Sequence, residues 1–222
     1  MVRDALHIAR KDLRIEWRTR ITAFQVIPFA VVVIVLFGFA LGPDPARLEN
    51  AAPGVFWLAV LLASVLGVER SIAIELREGA FDGLRLAGFD PAGIFLGKLV
   101  ALSAQLVALE VLLGVITAIV FQVSLASFWL LAVASVVATL GIVAVGLLYG
   151  VLLASSRVRE TLLPLLFFPV IAPVLIAGSK TWQAAISQHV SAGLGWLELL
   201  AVFGVVYCSI GIVSFGPLME DL

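Results

Sequence analysis

From Leu99 to Ser156 the chain runs 58 residues with one charged side chain, Glu110. A soluble domain carries a charge at about every fourth position. A stretch this bare cannot cover the outside of a water-soluble fold, so the solvent around it is lipid. Four further uncharged runs share this character: Ile21–Pro43, Asn50–Val68, Thr161–Ser179 and Leu199–Met219. Across 222 residues, 62% are hydrophobic and 13% charged. That composition excludes a soluble enzyme domain, a disordered segment and a nucleic-acid binder.

A helical span needs about 20 apolar residues. The 58-residue run therefore holds two spans, joined near Phe121–Ser127, where Gln122, Ser124 and Ser127 gather. The reading is one all-α polytopic domain over residues 1–222. Six transmembrane helices are expected near 22–42, 53–70, 99–121, 128–154, 161–179 and 196–216, after an amphipathic N-terminal helix over 1–20. The runs lack the apolar/polar alternation of a membrane barrel. The first run is longer than a cleaved signal's apolar core of about 7–15 residues, so it reads as a retained span.

Loop charge sets orientation. Twelve of the 14 Lys and Arg residues fall in the N-terminal segment, the 70–98 loop and the 156–160 loop; Arg47 and Lys180 lie opposite. Both termini are expected in the cytoplasm, as an even number of spans requires. The lone Cys208 permits no intramolecular disulfide, and with two histidines no cysteine-rich metal site is expected. No metal or nucleic-acid partner is predicted.

In the N-terminal helix, Leu6, Ala9, Leu13 and Trp17 form a stripe at helical spacing, with Ile8 and Ile15 off it. It reads as an interfacial helix anchoring the first span, or as an elbow touching a cytoplasmic partner. The one sizeable hydrophilic segment, Glu69–Lys98, mixes charge with exposed-type apolar residues and reads as a cytoplasmic extension of the second span, a turn and a short helix offering an apolar face. Glu75, Arg77, Glu78, Phe81, Asp82, Leu84, Arg85 and Leu86 make it a candidate docking element; the alternative is a loop folded back on the membrane. Gly79, Gly83, Gly88 and Pro91 break any long helix there. On the far side, Gly42–Pro53 reads as a short loop and Lys180–Gly195 as a longer one with room for a short interfacial helix, with Trp182 and Trp196 as interface anchors.

The chain lacks G-x-x-x-x-G-K-[ST], since Gly178-Ser-Lys180-Thr181 has no Gly before Lys. It has no hydrolase, metalloprotease or heme-attachment motif, and His7 and His189 are expected on opposite sides. No catalytic residue is assigned. Gln105 and Glu110 form a possible intramembrane polar site. Glu110 has three readings: a structural hydrogen bond with Gln105, a substrate or water pathway, or a subunit interface. Pro164, Pro169 and Pro173 predict kinks in the fifth span, whether for gating or static architecture. Gly146-x-x-x-Gly150 and Gly93-x-x-x-Gly97 offer small faces for close helix approach, within one subunit or between two.

Several stretches resemble the heme exporter protein B (CcmB) family. They are Lys11–Arg20 (KDLRIEWRTR), Ala52–Trp57 (APGVFW) continuing through Leu61–Ser64 to Glu69-Arg70, then Glu78-Gly79 with Phe81 and Leu84, and Phe168–Gly178 (FPVIAPVLIAG). They occur in order across most of the chain. The loop ends Leu86-Ala-Gly-Phe-Asp-Pro91 where the family would run a leucine-rich stretch into Ser-Pro, and Glu110 is not a feature of the resemblance. The resemblance implies an ABC-2-like exporter permease fold in the bacterial inner membrane. Two copies would work with a separate ATPase subunit (CcmA-like), which docks on the 75–90 segment, with the N-terminal helix alongside, and hydrolyses ATP. Further partners would be a heme-handling membrane protein (CcmC-like) and a small single-span subunit. The function implied is heme export, or release of heme-loaded chaperone, in cytochrome c maturation. Heme would then be cargo, with no cofactor held by the chain itself and His189 the nearest candidate contact. Other readings are an exporter permease for a drug or lipid, and a non-transporting scaffold.

Overall fold

Proline sets where three helices begin. The computed structural model describes residues 1–19, 25–77, 83, 86–154, 156 and 158–220. Helix α1 spans Val2–Thr19. Helix α2, Ile27–Leu41, has proline in its first turn and stops at Gly42, whose φ of 73° suits a residue without a side chain. Helix α3, Pro45–Arg77, follows Asp44, whose carboxylate accepts the Ala46 N–H at 3.0 Å. Helix α4, Pro91–Phe121, is capped the same way by Asp90 on Ala92 N–H at 3.2 Å. Then come α5 (Phe128–Leu152), α6 (Arg159–Ile186) and α7 (Val190–Glu220).

Helices α3 to α7 are each long and apolar enough to cross a membrane. The chain is an all-helical polytopic membrane protein. The first expected span, 22–42, is shorter than the others in the described residues. Its 15-residue helix α2 rises about 22 Å at ~1.5 Å per residue, against a hydrocarbon core of about 30 Å. Residues 20–24 lie outside the described residues.

Two expected loops are largely helix. Only Gly42–Asp44 separates α2 from α3, and Pro53 sits inside α3. Only Ser187–His189 separates α6 from α7, so Trp182 belongs to a helix and not to a loop. Charge ends a hydrophobic run without ending a helix; the breaks come at Gly-Pro and at the αL residues Gln122 and Gln188. Helix α6 continues through Pro164, Pro169 and Pro173 without a break. Between the last two, the Tyr207 hydroxyl of α7 donates to the Val170 carbonyl at 2.7 Å.

Helix α5 is the centre, packed on α3, α4, α6 and α7, with every residue from Gly141 to Leu147 buried. Gly146 and Gly150 let it approach α3: a Cβ there would lie 2.7 Å from Val68 and 2.8 Å from Ile72. Gly93 and Gly97 do the same for α1 on α4, where a Cβ at Gly97 would meet the Ala5 carbonyl at 2.7 Å. Both small faces are thus used inside this chain. Gly216 of α7 lies by Pro91, and Gly93 by Met1, so the N-terminal helix and the end of α7 share one end of the bundle.

Candidate functional site

At that end, three helices converge on a four-charge knot. Lys98 of α4, only 1% exposed, donates to Glu75 of α3 at 2.8 Å and to Asp12 of α1 at 3.2 Å. Lys11 of α1 reaches the same Glu75 oxygen at 2.6 Å and Asp12 at 3.3 Å. Two cations meet two anions, so the buried group is neutral. Arg70 and Glu16 form a further ion pair at 3.8 Å between α3 and α1. Burial alone would lower the Lys11 pKa, but Glu75 and Asp12 outweigh it and hold the ammonium above its ordinary value. At the tip of α1, the N-terminal ammonium bonds Asp4 and keeps that carboxyl below the usual range.

Apart from Lys11, which joins the knot, helix α1 sorts its charges by sign. Asp4, Asp12 and Glu16 face inward with buried Ile8 and Ala9, whereas Arg3, His7, Arg10, Arg14 and Arg18 are exposed. Of the expected apolar stripe, Leu6, Leu13 and Trp17 point away from the bundle, whereas Ala9 is buried. The face that packs on α4 is the one carrying Ile8. Two apolar faces explain why the helix is imperfectly amphipathic about either one.

Glu75, expected on the docking surface, is buried instead. Val68, Ile72 and Glu75 are spaced four and three apart on α3 and share its inward face. Of the other expected docking residues, Arg77 ends α3 and Leu86 is 90% exposed. Glu78, Phe81, Asp82, Leu84 and Arg85 lie outside the described residues. The knot itself, Lys11–Asp12–Glu75–Lys98, was not singled out from sequence. The spacing of Asp4, Asp12 and Glu16 on α1, eight and four residues apart and so on one helix face, was the available signal.

Gln105 and Glu110 are not brought together. Gln105 lines a small cavity of ≈ 40 Å³ beside Glu75, Arg70 and Lys98. Glu110, 4% exposed, takes a short hydrogen bond from the Thr139 hydroxyl of α5. Its second oxygen, Oε2, is buried without a partner. Beyond Glu110 toward the α4–α5 turn lies an aromatic cluster missed from sequence. Phe56 stacks on Trp182 at 3.7 Å between ring centroids, and Trp57 meets Trp182 edge-on at 6.2 Å. Gly178 admits the Trp57 indole, whose Cε2 would stand 2.8 Å from a Cβ. His189 is exposed in the α6–α7 turn, its backbone N–H on the Ala184 carbonyl at 2.9 Å.

The family model described as CcmB protein matches residues 3–217, from α1 and its half of the knot almost to the end of α7. The chain belongs to the CcmB protein family. Relatives within it carry the name heme exporter protein B. The one from Haemophilus influenzae is 30% identical over 212 residues, covering 96% of this chain and 93% of the relative. That of Bradyrhizobium diazoefficiens is 27% identical over 216 residues, covering 95% and 92%. The Escherichia coli K12 protein is 34% identical over 94 residues, 42% of this chain and 43% of its own length.

Proposed function

We propose that this chain is the membrane permease subunit of an ABC-type transporter serving heme export, or release of heme-loaded chaperone, in c-type cytochrome biogenesis. One observation carries the reading: a family match that runs the length of the chain, over residues 3–217. The bundle sits in the bacterial cytoplasmic membrane with six spans, α2 being the short one. Both termini face the cytoplasm. The concentration of 12 of the 14 basic residues beside the chain ends supports that orientation. Two copies assemble with two separate ATPase subunits, a heme-handling membrane protein and a small single-span subunit. Heme is cargo, and ATP is hydrolysed by the partner.

The ATPase docks on the 77–90 segment, where Leu86 is exposed, with the basic face of α1 alongside. Glu75 acts one step behind that surface. It ties the end of α3 to Lys98 and, through Lys11 and Asp12, to α1, so a pull on the segment moves three helices as a unit. The ATPases shift the bundle between states only through contacts that differ in the two states. Assembly and ATP turnover with Phe81, Leu84 and Leu86 replaced by Ser test the docking. Loss of the ATPase subunit from a permease of unchanged yield and thermal stability is expected; unchanged assembly and turnover would remove the assignment. Deleting the gene tests the cargo class. Loss of c-type cytochromes is expected, and intact cytochromes would favour a drug or lipid exporter.

A further inference from the structure

A groove of ≈ 140 Å³ opens between α4 and α5, near their connecting turn. Its rim is Val111, Val115, Phe128 and Val136, all exposed on the outer surface of the bundle. In a bilayer these side chains meet acyl chains, so a ligand enters from the hydrocarbon and not from water. Glu110 and Ser135 are the polar members of the lining, and Trp182 closes it beside Gly114.

Polar atoms are left unpartnered on this side of α4. Glu110, Gly114 and Thr117 share one buried helix face. Glu110 Oε2, Thr117 Oγ and Trp182 Nε1 are all buried with no hydrogen-bond partner. Such groups in a bilayer interior cost free energy unless something pairs with them. Glu110 lines the groove with an unpartnered oxygen for a ligand to pair with. A hydroxyl serves a carboxyl oxygen as donor or as acceptor, whereas a protonated amine supplies donors alone. Several waters fit the lining poorly, because it is mostly apolar. The volume is close to the roughly 150 Å³ cavity that holds one benzene ring, room for about six carbons.

We propose that this groove binds a membrane-dissolved amphiphile by a hydroxyl head, which donates to Glu110 Oε2 while its first carbons lie against Trp182, Val111 and Val136. The rest of its chain stays among the lipids along α4 and α5. The site is independent of the ATPase docking surface and of the cargo reading.

The test uses the full chain in phosphatidylcholine nanodiscs, with hexadecanol bearing a diazirine on its early carbons and the matched hexadecyl methyl ether. The ether keeps the acceptor and loses the donor. A hydrogen bond of ordinary strength contributes about 0.5–1.5 kcal/mol, so the alcohol should label α4 and α5 about two- to tenfold over the ether. Glu110→Leu should bring that ratio to about one. Val136→Trp, which fills the groove and leaves Glu110 in place, should abolish labelling even if the first variant folds poorly. Equal labelling by the two probes would mean ordinary surrounding lipid and overturn the proposal. So would no labelling, which leaves only water in the groove, or labelling unchanged in Val136→Trp.

Discussion

Two buried carboxyl groups along α4 meet different surroundings. At its start, Lys98 is enclosed by Glu75, Asp12 and Lys11, and the four charges cancel. Farther along, Glu110 has one hydroxyl bond on Oε1 and an empty Oε2. Both carboxylates are almost fully enclosed, so burial alone does not separate them. The difference lies in what faces them: two helices, α1 and α4, bring ions to Glu75, whereas α5 brings Glu110 the hydroxyls of Thr139 and Ser135. The first arrangement joins helices. The second meets hydroxyls in place of ions, and in both the carboxyl keeps one buried oxygen, Oε2, without a partner.

That contrast ranks the effects of substitution. Glu75→Ala should be the most damaging, because it leaves Lys98 and Lys11 facing a single Asp12; removing one member of a buried pair costs about 3–5 kcal/mol, readable as a fall in the unfolding midpoint. Gly97→Leu comes next. Its side chain meets the Ala5 carbonyl and Ile8, so overpacking of about 1–3 kcal/mol should lift α1 and speed tryptic cleavage at Arg10 and Arg14. Tyr207→Phe removes one hydrogen bond to Val170 and should cost about 1 kcal/mol, with helix content unchanged. Alkaline pH should act least. Lys11 has its folded pKa above the ordinary 10.5, so its contribution is complete below about that pH and is lost as pH rises through the folded value. The side chain is 38% exposed, and solvent screening holds the effect under about 1 kcal/mol. Lys11→Met should flatten the alkaline limb of a stability–pH curve; an unaltered limb would show that Lys11 contributes nothing.

Much of this bundle was legible in sequence. Uncharged runs locate the apolar helices, and Gly93, Gly97, Gly146 and Gly150 mark close approaches. The charged residues from Glu69 to Arg77 continue α3 past the apolar run, in keeping with the extension of the second span read from the sequence. Helical phase was the missing signal at the knot: Val68, Ile72 and Glu75 align, yet Glu75 is read as surface when charge alone is weighed. Trp182 was misread for a related reason. Lys180 ends its uncharged run, while the helix carries on to Ile186 and buries the indole under Phe56. The partner of Glu110 sits 29 residues away on α5, beyond any local pattern.

The direct test of the ionic end is a double-mutant cycle of Glu75→Lys and Lys98→Glu, read by thermal unfolding of the full chain. If the knot joins α3 to α4, each reversal alone destabilises strongly and the double reversal recovers at least about 2 kcal/mol, within the 0.5–3 kcal/mol range seen for contacting residues. Losses that simply add would contradict the account.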